Sequence, residues 1–303
     1  MIPYVELPGP AAQWTAEDRA AVAQAIGKAF RNGGFFLAGN HGVPAALVDG
    51  SFAEMTEFYR LPQSEKDRYA VREEAQFLGY RGLGGEKSRT HSGAEACEQY
   101  RIGNTTGQLS LAGSPAFYHE HFPTSTELFR HLVDLGDGIL SASAVDLGIE
   151  DGHFDRYLTE PMHRLGLNFY GATHIDDIHN EEELAMSPHT DLSLITILTQ
   201  DEPGLEVRTS AGEWIEVSMP RDTFLVFLGD YVQRWTNGVY DATPHRVCRV
   251  RRDRRSIQYK HRPDYNTVIA PLDHFVGANQ PARYGAIDTG PNYISVLKSI
   301  LGL

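Results

Sequence analysis

The sequence predicts a mainly β protein of the α+β class, with a jelly-roll core and a helical N-terminal half packed around it. From residue 161 onward, short β-like runs alternate with Gly, Pro, Asn and Asp, a density typical of a sandwich or jelly roll. Residues 1–160 instead show helical periodicity. No Ser/Gly-rich linker separates the halves, so we expect a single integrated domain over 1–303, in which 161–303 forms the jelly-roll core and ends in a helical tail.

The helices of the first half are predicted from their end signals. Thr15 and Asp18 have the spacing of a capping box, and the helix that they begin is followed by the strand-like run "FFLAG". Pro44 suits the first turn of a second helix, and Pro62 ends that segment. A third helical pattern covers residues 114–149, with a break near "HFPT".

The strands of the second half are predicted from β-branched and aromatic runs that end at turn residues. In chain order these runs are "MHRLGLNFYG", "LSLITILTQ", "GLEVRTS", "EWIEVSM", "TFLVFLGD", "HRVCRV", "RSIQYKHRP" and "NTVIA". The last stretch, "NYISVLKSILGL", is apolar enough to form a docked helix.

The composition excludes several classes of protein. The formal net charge of -13 argues against a nucleic-acid or anionic-membrane partner, since both need a basic face, and the basic run at 249–255 is too small to supply one. Only Cys97 and Cys248 are present, too few for a disulfide scaffold. The sequence has neither a membrane-spanning run nor a secretion signal. We therefore expect a cytoplasmic enzyme acting on a small molecule, and the sequence leaves its oligomeric state open.

The run "HTDLSLITILTQ" contains the first candidate for a metal site. His189 and Asp191 are two residues apart, and in a strand such residues point the same way, about 6.6 Å apart. A carboxylate entering a core is costly unless it is paired or coordinates a metal. His245 opens the later strand "HRVCRV" and is the candidate third ligand. Two histidines and one carboxylate form the facial pattern of non-haem Fe(II).

A second His-x-Asp pair, His174 and Asp176, shows that the motif alone is weak evidence. It lies in the polar stretch "HIDDIH", which no apolar run follows, and we interpret it as a solvated loop without a metal role.

Support for a metal site comes from "RDRRSIQYK". Arg254 lies nine residues after His245, enough for a strand, a turn and a return strand, and Ser256 shares its strand face. A guanidinium binds a carboxylate bidentately, and a serine hydroxyl can donate to the same group. A dicarboxylate held there could chelate the metal with its other end.

These residues resemble the isopenicillin N synthase-like, Fe(II)- and 2-oxoglutarate-dependent oxygenases, and the similarity runs nearly end to end. The similar segments include "IPYVEL", "GGFFLAGNHGVP", "FYRLPQSEK", "GYRG", "HTDLSLITILTQDEPGLEVRTSAGEWIEV", "TNGVYDATPHRV" and "RRSIQY". The resemblance implies a double-stranded β-helix fold and an oxidoreductase that uses O2 and releases succinate and CO2.

The same resemblance implies roles for individual residues. It makes His189, Asp191 and His245 the iron ligands and the catalytic residues. It implies that Arg254 and Ser256 hold the distal carboxylate of 2-oxoglutarate. Asn168 and Tyr170 match a family N-x-Y whose side chains also contact the cosubstrate. The sequence departs from the family at Gly171, where proline is common, and in "YVQRWTNG", where Arg234 and Trp235 replace smaller residues; we expect Trp235 to shape the substrate pocket.

The substrate is indicated only by residues 78–103, which we expect to cover the iron as a lid and pocket wall. Arg81, Arg89 and Arg101 in this segment could clamp a carboxylate. The predicted reaction is therefore the hydroxylation, or else desaturation or cyclisation, of a small anionic metabolite such as an amino acid or a biosynthetic intermediate.

Three alternatives stay open at this point. An isopenicillin N synthase-like oxidase would use the same triad without 2-oxoglutarate. A zinc hydrolase could use two histidines and an aspartate. A jelly-roll protein could also bind a metal or small ligand without catalysis.

Overall fold

A computed structural model of the chain describes residues 2–72, 77–88, 93–103, 119–150, 152–177 and 184–303. The strands within these ranges are β1 Tyr4–Glu6, β2 Phe35–Gly39, β3 Gly79–Arg81, β4 Glu98–Gly103, β5 Arg164–Tyr170, β6 Leu184–His189, β7 Ile195–Gln200, β8 Leu205–Arg208, β9 Trp214–Glu216, β10 Phe224–Leu228, β11 His245–Cys248, β12 Arg254–His261, β13 Val268–Ile269 and β14 Ile287–Asp288. The helices are α1 Ala16–Gly33, α2 Ala45–Tyr59, α3 Gln63–Lys66, α4 Pro123–Asp146, α5 His174–Asp177, α6 Asp230–Trp235 and α7 Thr289–Leu301.

The helix α1 begins and ends as its sequence predicts. The Thr15 hydroxyl accepts from the Asp18 backbone N–H at 3.1 Å, and the Asp18 carboxylate accepts from the Thr15 backbone N–H at 2.8 Å. This reciprocal capping box satisfies two N–H groups that the first turn would otherwise leave unpaired. The helix ends at Gly34, whose φ of 82° is a left-handed conformation that glycine adopts without a steric penalty.

Two sheets form the β core. The larger has the order β1-β2-β10-β7-β12-β5-β4-β3 and the smaller the order β6-β11-β8-β9, while β13 and β14 form a separate pair. Every named strand pair except β1–β2 is antiparallel. The predicted mainly β fold, with a jelly-roll core and helices packed around it, is confirmed.

The continuous apolar run of β10 shows how the layers are held together. Leu225 and Phe227 belong to a hydrophobic cluster that also contains residues of the small sheet, such as Val207 and Val247. Their strand neighbours Phe224 and Val226 belong to the cluster formed with α1, α2 and α4. Because alternate residues of a strand face opposite ways, β10 is buried on both faces and needs an apolar side chain at every position.

The segment 78–103 contributes strands as well as loops. β4 pairs with β5, so it extends the large sheet, and the wall predicted here is built on a strand. Its sequence, "EQYRIG", gives a weak strand signal because two alternate positions, which face an internal cavity, hold the polar residues Gln99 and Arg101.

The C-terminal tail is helical, as expected. In α7, Tyr293 and Leu297 pack against Phe77 and Met162. None of the helices in the described ranges combines the length and the apolar composition that a bilayer-spanning segment requires.

Candidate active site

The three predicted metal ligands meet at one end of the small sheet. His245, the first residue of β11, is paired in register with His189, the last residue of β6. The Asp191 Oδ1 atom lies 3.8 Å from His189 Nε2 and 3.9 Å from His245 Nε2. Asp191 and His245 are buried, and His189 is partly buried. The three side chains therefore converge on one point.

The backbone at Asp191 differs from the prediction. β6 ends at His189, so Asp191 lies in the following turn and not in the strand. The Asp191 carbonyl accepts backbone N–H groups from Ser193 at 2.9 Å and Asp230 at 2.9 Å, which fix this turn. The two-residue spacing still brings both ligands to the same point, but the turn, and not the strand pleat, positions the carboxylate.

Both histidines are held in the tautomer that a metal requires. His189 Nδ1 lies 2.7 Å from the Ser187 carbonyl and His245 Nδ1 lies 3.1 Å from the Thr243 carbonyl. A carbonyl can only accept, so each Nδ1 carries the hydrogen and each Nε2 keeps a free lone pair. Burial, together with His189, lowers the pKa of His245 to about 3, although Asp191 acts in the opposite direction. His245 is therefore neutral at physiological pH.

Asp191 is ionised. Burial opposes its ionisation, but Lys260 and the two histidines hold its pKa well below the usual range. Oδ2 accepts from the Thr196 hydroxyl at 2.7 Å, and Oδ1 accepts from Lys260 Nζ at 2.7 Å. The set thus offers two imidazole nitrogens and one carboxylate oxygen, all within 4.8 Å of one another, which fits Fe(II).

Among the described residues, a second group has similar spacing but unsuitable chemistry. The candidate ligand atoms of Asp137, His163 and His261 also lie within 4.8 Å of one another. However, His163 Nδ1 accepts the Arg262 backbone N–H at 3.0 Å, so the neutral ring carries its hydrogen on Nε2. That nitrogen has no lone pair to offer, and this group does not fit a metal ion.

The other His-x-Asp pair does not converge, although its environment differs from the solvated loop we predicted. His174 begins α5 and is largely buried, with its Nε2 3.5 Å from a carboxylate oxygen of Glu98. Asp176 is exposed and pairs with Arg249 at 2.5 Å.

The predicted cosubstrate residues face the same cavity as the triad. Cross-strand pairing of β12 with β5 places Arg254 opposite Tyr170 and Ser256 opposite Asn168. Asn168 Oδ1 also accepts from Gln99 Nε2 at 2.5 Å, which extends this row onto β4.

Arg254 is fully buried and only partly satisfied. Its Nη2 donates to Gln200 Oε1 at 2.6 Å, and its guanidinium lies 4.8 Å from the centroid of the Tyr170 ring. Nε and Nη1 have no hydrogen-bond partner among the described residues. Burial lowers the pKa of Arg254, but the guanidinium remains a cation at neutral pH. A buried cation with two free donors is suited to bind a carboxylate.

Of the predicted substrate residues that the structure describes, only one lines the cavity. Arg101 lines the cavity, whereas Arg81 is buried beside it in an ion pair with Glu86. Arg89 lies outside the described residues. Trp235 is among the largest fully buried side chains and does not line the cavity.

Trp235 instead belongs to the hydrophobic core on the helical side of the large sheet. Its ring stacks on Phe154, with centroids 5.0 Å apart, and lies 5.0 Å from the Tyr157 ring. The predicted role in the pocket wall is not supported by this position, because α6 turns the indole away from the cavity.

Several cavity residues were missed from the sequence. Lys260 contacts Asp191, and Arg164, Arg262 and Tyr293 line the same cavity. The signal for Lys260 was present: counting two residues at a time from Arg254 along β12 reaches it on the same strand face.

Family comparison fits this geometry. Residues 162–263 match the family model described as the 2OG-Fe(II) oxygenase superfamily, and residues 2–125 match the model of the N-terminal region of non-haem dioxygenases in morphine synthesis. The chain belongs to the 2OG-Fe(II) oxygenase superfamily.

Individual relatives and solved structures agree with the family match. The 2-oxoglutarate-Fe(II) type oxidoreductase ppzC of Metarhizium rileyi is 30% identical over 273 residues, covering 81% of this chain and 73% of the relative. The 2-oxoglutarate-dependent dioxygenase traH of Penicillium crustosum is 30% identical over 262 residues, covering 81% and 79%. The crystal structure of a full-length Neurospora crassa protein in complex with alpha-KG has a TM-score of 0.83 at 24% identity, covering 98% of this chain and 96% of the other.

This oxygenase therefore has the double-stranded β-helix fold and uses Fe(II), 2-oxoglutarate and O2, as the sequence predicted. The prediction of an Fe(II)/2-oxoglutarate-dependent dioxygenase is confirmed.

Proposed function

We propose that this oxygenase hydroxylates a small anionic metabolite, such as an amino acid or a biosynthetic intermediate, with release of succinate and CO2. Desaturation and ring closure are alternative outcomes of the same chemistry. In this proposal His189, Asp191 and His245 hold the iron. Arg254 and Ser256 hold the distal carboxylate of 2-oxoglutarate.

The observation that carries the proposal is that the triad and the buried Arg254 line one cavity. When bound, Fe(II) supplies the redox chemistry that couples O2 and 2-oxoglutarate to oxidation of the substrate. The chain has to hold the reactants and exclude water. Asn168 and Tyr170, opposite Ser256 and Arg254 on the neighbouring strand, complete the cosubstrate site.

The electrostatics of the site suit a dianionic cosubstrate. The triad contributes one negative charge, from Asp191, because an imidazole that binds a metal through a nitrogen lone pair adds no charge. A single carboxylate only half offsets the charge of Fe(II), so the remaining charge favours a chelating anion. At the other end of that anion, the guanidinium of Arg254 offers its two free donors.

The class of substrate is supported by the cavity and by the relatives. Arg101, on the cavity wall, favours an anion. Relatives named for small-molecule chemistry include the homoarginine-6-hydroxylase of Glycine max and the validamycin A dioxygenase of Streptomyces hygroscopicus. A small metabolite is therefore the class that we propose for this chain.

Succinate release tests the proposal. The protein is reconstituted with Fe(II) and ascorbate and supplied with 2-oxoglutarate and a metabolite library, and succinate and oxidised product are quantified. We expect a one-to-one ratio for the true substrate. Asp191→Asn should abolish both products, whereas the matched control Asp176→Asn, at the exposed second His-x-Asp pair, should keep them. Product without succinate would overturn the proposal in favour of an oxidase.

Two broader proposals accompany this function. The chain is proposed to fold as one integrated domain, which is supported by strands β1–β4 of the first half lying in the same sheet as β5, β7, β10 and β12 of the second. A reducing, cytoplasmic compartment is proposed because Cys97 and Cys248 are both free thiols.

A further inference from the structure

A second group of cations lies on the cavity wall away from Arg254. This arginine cluster consists of Arg101 on β4, Arg164 on β5 and Arg262 after the end of β12. Strand pairing places Lys260 opposite Arg164, and Arg101 opposite Gly166. Three neighbouring strands thus present basic side chains to one region of the cavity.

The arginine cluster holds unsatisfied donors. Each guanidinium uses one nitrogen on a fixed acceptor: Arg164 on the His163 carbonyl at 2.8 Å, Arg262 on the Leu192 carbonyl at 2.7 Å, and Arg101 on a glutamine oxygen at 2.5 Å. Four other donor nitrogens have no hydrogen-bond partner among the described residues. They are Nε and Nη2 of Arg164, Nη1 of Arg101 and Nη1 of Arg262. Arg164 and Arg262 are each only 4% exposed. Buried charged donors without partners are costly, so an anion bound here would recover that cost.

Tyr293 brings a hydroxyl from α7 to the same place. Its ring centroid lies 4.5 Å from the guanidinium carbon of Arg262, and its phenol interacts electrostatically with Arg164. Burial opposes ionisation of this phenol, but Arg262, Arg164, Arg101 and Lys260 together lower its pKa to about 8. The local potential is therefore strongly positive, while the hydroxyl still carries its proton at pH 7 and can donate.

The cavity's carboxylates have other partners. Glu86 pairs with Arg81, and Glu95 accepts the Ser187 backbone N–H at 2.9 Å. The remaining carboxylate among the described residues that line the cavity, that of Asp191, belongs to the proposed iron site. Glu86 also interacts electrostatically with Arg101, so among the described residues the arginine cluster keeps a net positive charge that a ligand could neutralise.

2-Oxoglutarate bound at Arg254 does not reach the arginine cluster. Arg254 precedes Lys260 by six residues on β12, which at about 3.3 Å per residue separates their backbones by roughly 20 Å. A five-carbon diacid whose distal carboxylate lies at Arg254 would span only part of this distance. The arginine cluster thus requires a second anion.

The helix α7 supplies an apolar wall next to the arginine cluster. Tyr293, Val296, Leu297 and Ile300 all line the cavity, and they are spaced three, four and seven residues apart, so they form one face of the helix. A ligand whose charged end lies among the arginines therefore meets apolar side chains along its body.

We propose that the arginine cluster and Tyr293 form the subsite for a carboxylate of the prime substrate, and that this substrate is a carboxylic acid with an apolar body lying along α7. The inference rests on the proposed function, because it is the proposed iron site in the same cavity that makes such an acid a substrate. The sequence predicted a carboxylate clamp of Arg81, Arg89 and Arg101. The subsite proposed from the structure shares only Arg101 with that clamp.

Matched acids and amides test this subsite. Hexanoate and 4-phenylbutanoate, each beside its primary amide, are titrated calorimetrically into the full chain loaded with Mn(II) and 2-oxoglutarate in the absence of O2. At least one acid should bind about ten-fold or more tightly than its amide, because only the acid carries the charge. Arg164→Gln and Arg262→Gln should each reduce that preference to about three-fold or less. Arg252→Gln, at an exposed position in the β11–β12 connection, is the matched control and should keep it.

Folding is checked by thermal unfolding of each variant. If a buried substitution prevents folding, Arg101→Gln at the partly buried position takes its place. Equal binding of acids and amides, a preference that survives in the folded cluster variants, or no binding by any acid would each overturn the inference. Failure of 2-oxoglutarate itself to bind would count against the proposed function instead. The acid–amide comparison, repeated with Mn(II) alone, would still decide the subsite.

Discussion

Replacing Arg254 with methionine separates the role of its charge from the role of its bulk. Arg254 is completely buried, and its Nη2 donates a hydrogen bond to Gln200. Burial disfavours its charge, as the lowered pKa shows. Methionine keeps a long unbranched side chain against the Tyr170 ring while removing the cation and its free donors.

The expected magnitudes follow from these contacts. Nε and Nη1 are free to donate to a carboxylate, and a hydrogen bond to a charged group contributes about 1.5–3 kcal/mol. Losing two of them costs at least about 3 kcal/mol, so the Kd for 2-oxoglutarate should rise by roughly 100-fold or more. The free protein should change in stability by only about 1 kcal/mol, because removing an under-satisfied buried charge offsets the lost cation–π contact.

Calorimetric titration of the Mn(II)-loaded protein with 2-oxoglutarate measures the first quantity, and urea unfolding of the metal-free protein measures the second. Arg252→Met, an exposed substitution in the same connection, is the control and should leave both unchanged. A Kd within about three-fold of the parent would refute the assignment of Arg254 to the cosubstrate. A loss of several kcal/mol in stability would show that Arg254 serves the fold.

Three further predictions concern residues outside the cosubstrate site. Trp235→Ala should lower the free energy of unfolding by about 3–5 kcal/mol in urea titrations while leaving the KM for 2-oxoglutarate unchanged, since the indole is core. Burial lowers the pKa of His261 from 6.5 to about 3, so between these values only the unfolded chain binds the proton at this residue. The contribution of His261 to stability should therefore decrease as the pH is lowered through this range, by up to about 1.4 kcal/mol per pH unit, and His261→Gln should reduce the measured slope by that amount. Lys260→Met should tighten Mn(II) binding several-fold in calorimetry, because it removes a cation 2.7 Å from Asp191 Oδ1.

Each of these has an outcome that would contradict it. A changed KM for 2-oxoglutarate in Trp235→Ala would show that the indole affects the cosubstrate site. An unchanged pH slope in His261→Gln would mean that another group titrates. Weaker metal binding in Lys260→Met would show that the ammonium orients the carboxylate more than it repels the ion.

The parts of the site that lie on regular local patterns could be predicted from the sequence. His245 and Arg254 lie at the start of β-like runs, and the structure places both at the start of a strand. His189 was recognised from its spacing to Asp191, but it ends β6, a strand that the sequence did not predict. The capping box of Thr15 and Asp18 is likewise a local signal, and the structure confirms it.

The parts that depend on distant segments could not be predicted. Arg101, Arg164 and Tyr293 meet only because β4 pairs with β5 and α7 packs beside them, and no short-range pattern encodes that meeting. β4 was missed because its cavity-facing positions are polar. Trp235 was wrongly predicted to line the pocket because the sequence does not show whether a short helix directs a large side chain toward the cavity or toward the core.

The strand β12 shows why the helical half matters to the chemistry. Arg254, Ser256 and Lys260 line the cavity, while the intervening Ile257 and Tyr259 pack in the core shared with the helices, where the Tyr259 ring lies 5.6 Å from Phe129 of α4.

Side chains alternate along a strand, so a slip of one residue would turn the tyrosine into the cavity and the arginine out of it. Burial of Ile257 and Tyr259 against α4 makes such a slip prohibitively costly. The helical layer thereby fixes which side chains of β12 face the cavity. We conclude that the N-terminal half contributes to the active site by setting this register, even though the proposed iron ligands all lie in the second half.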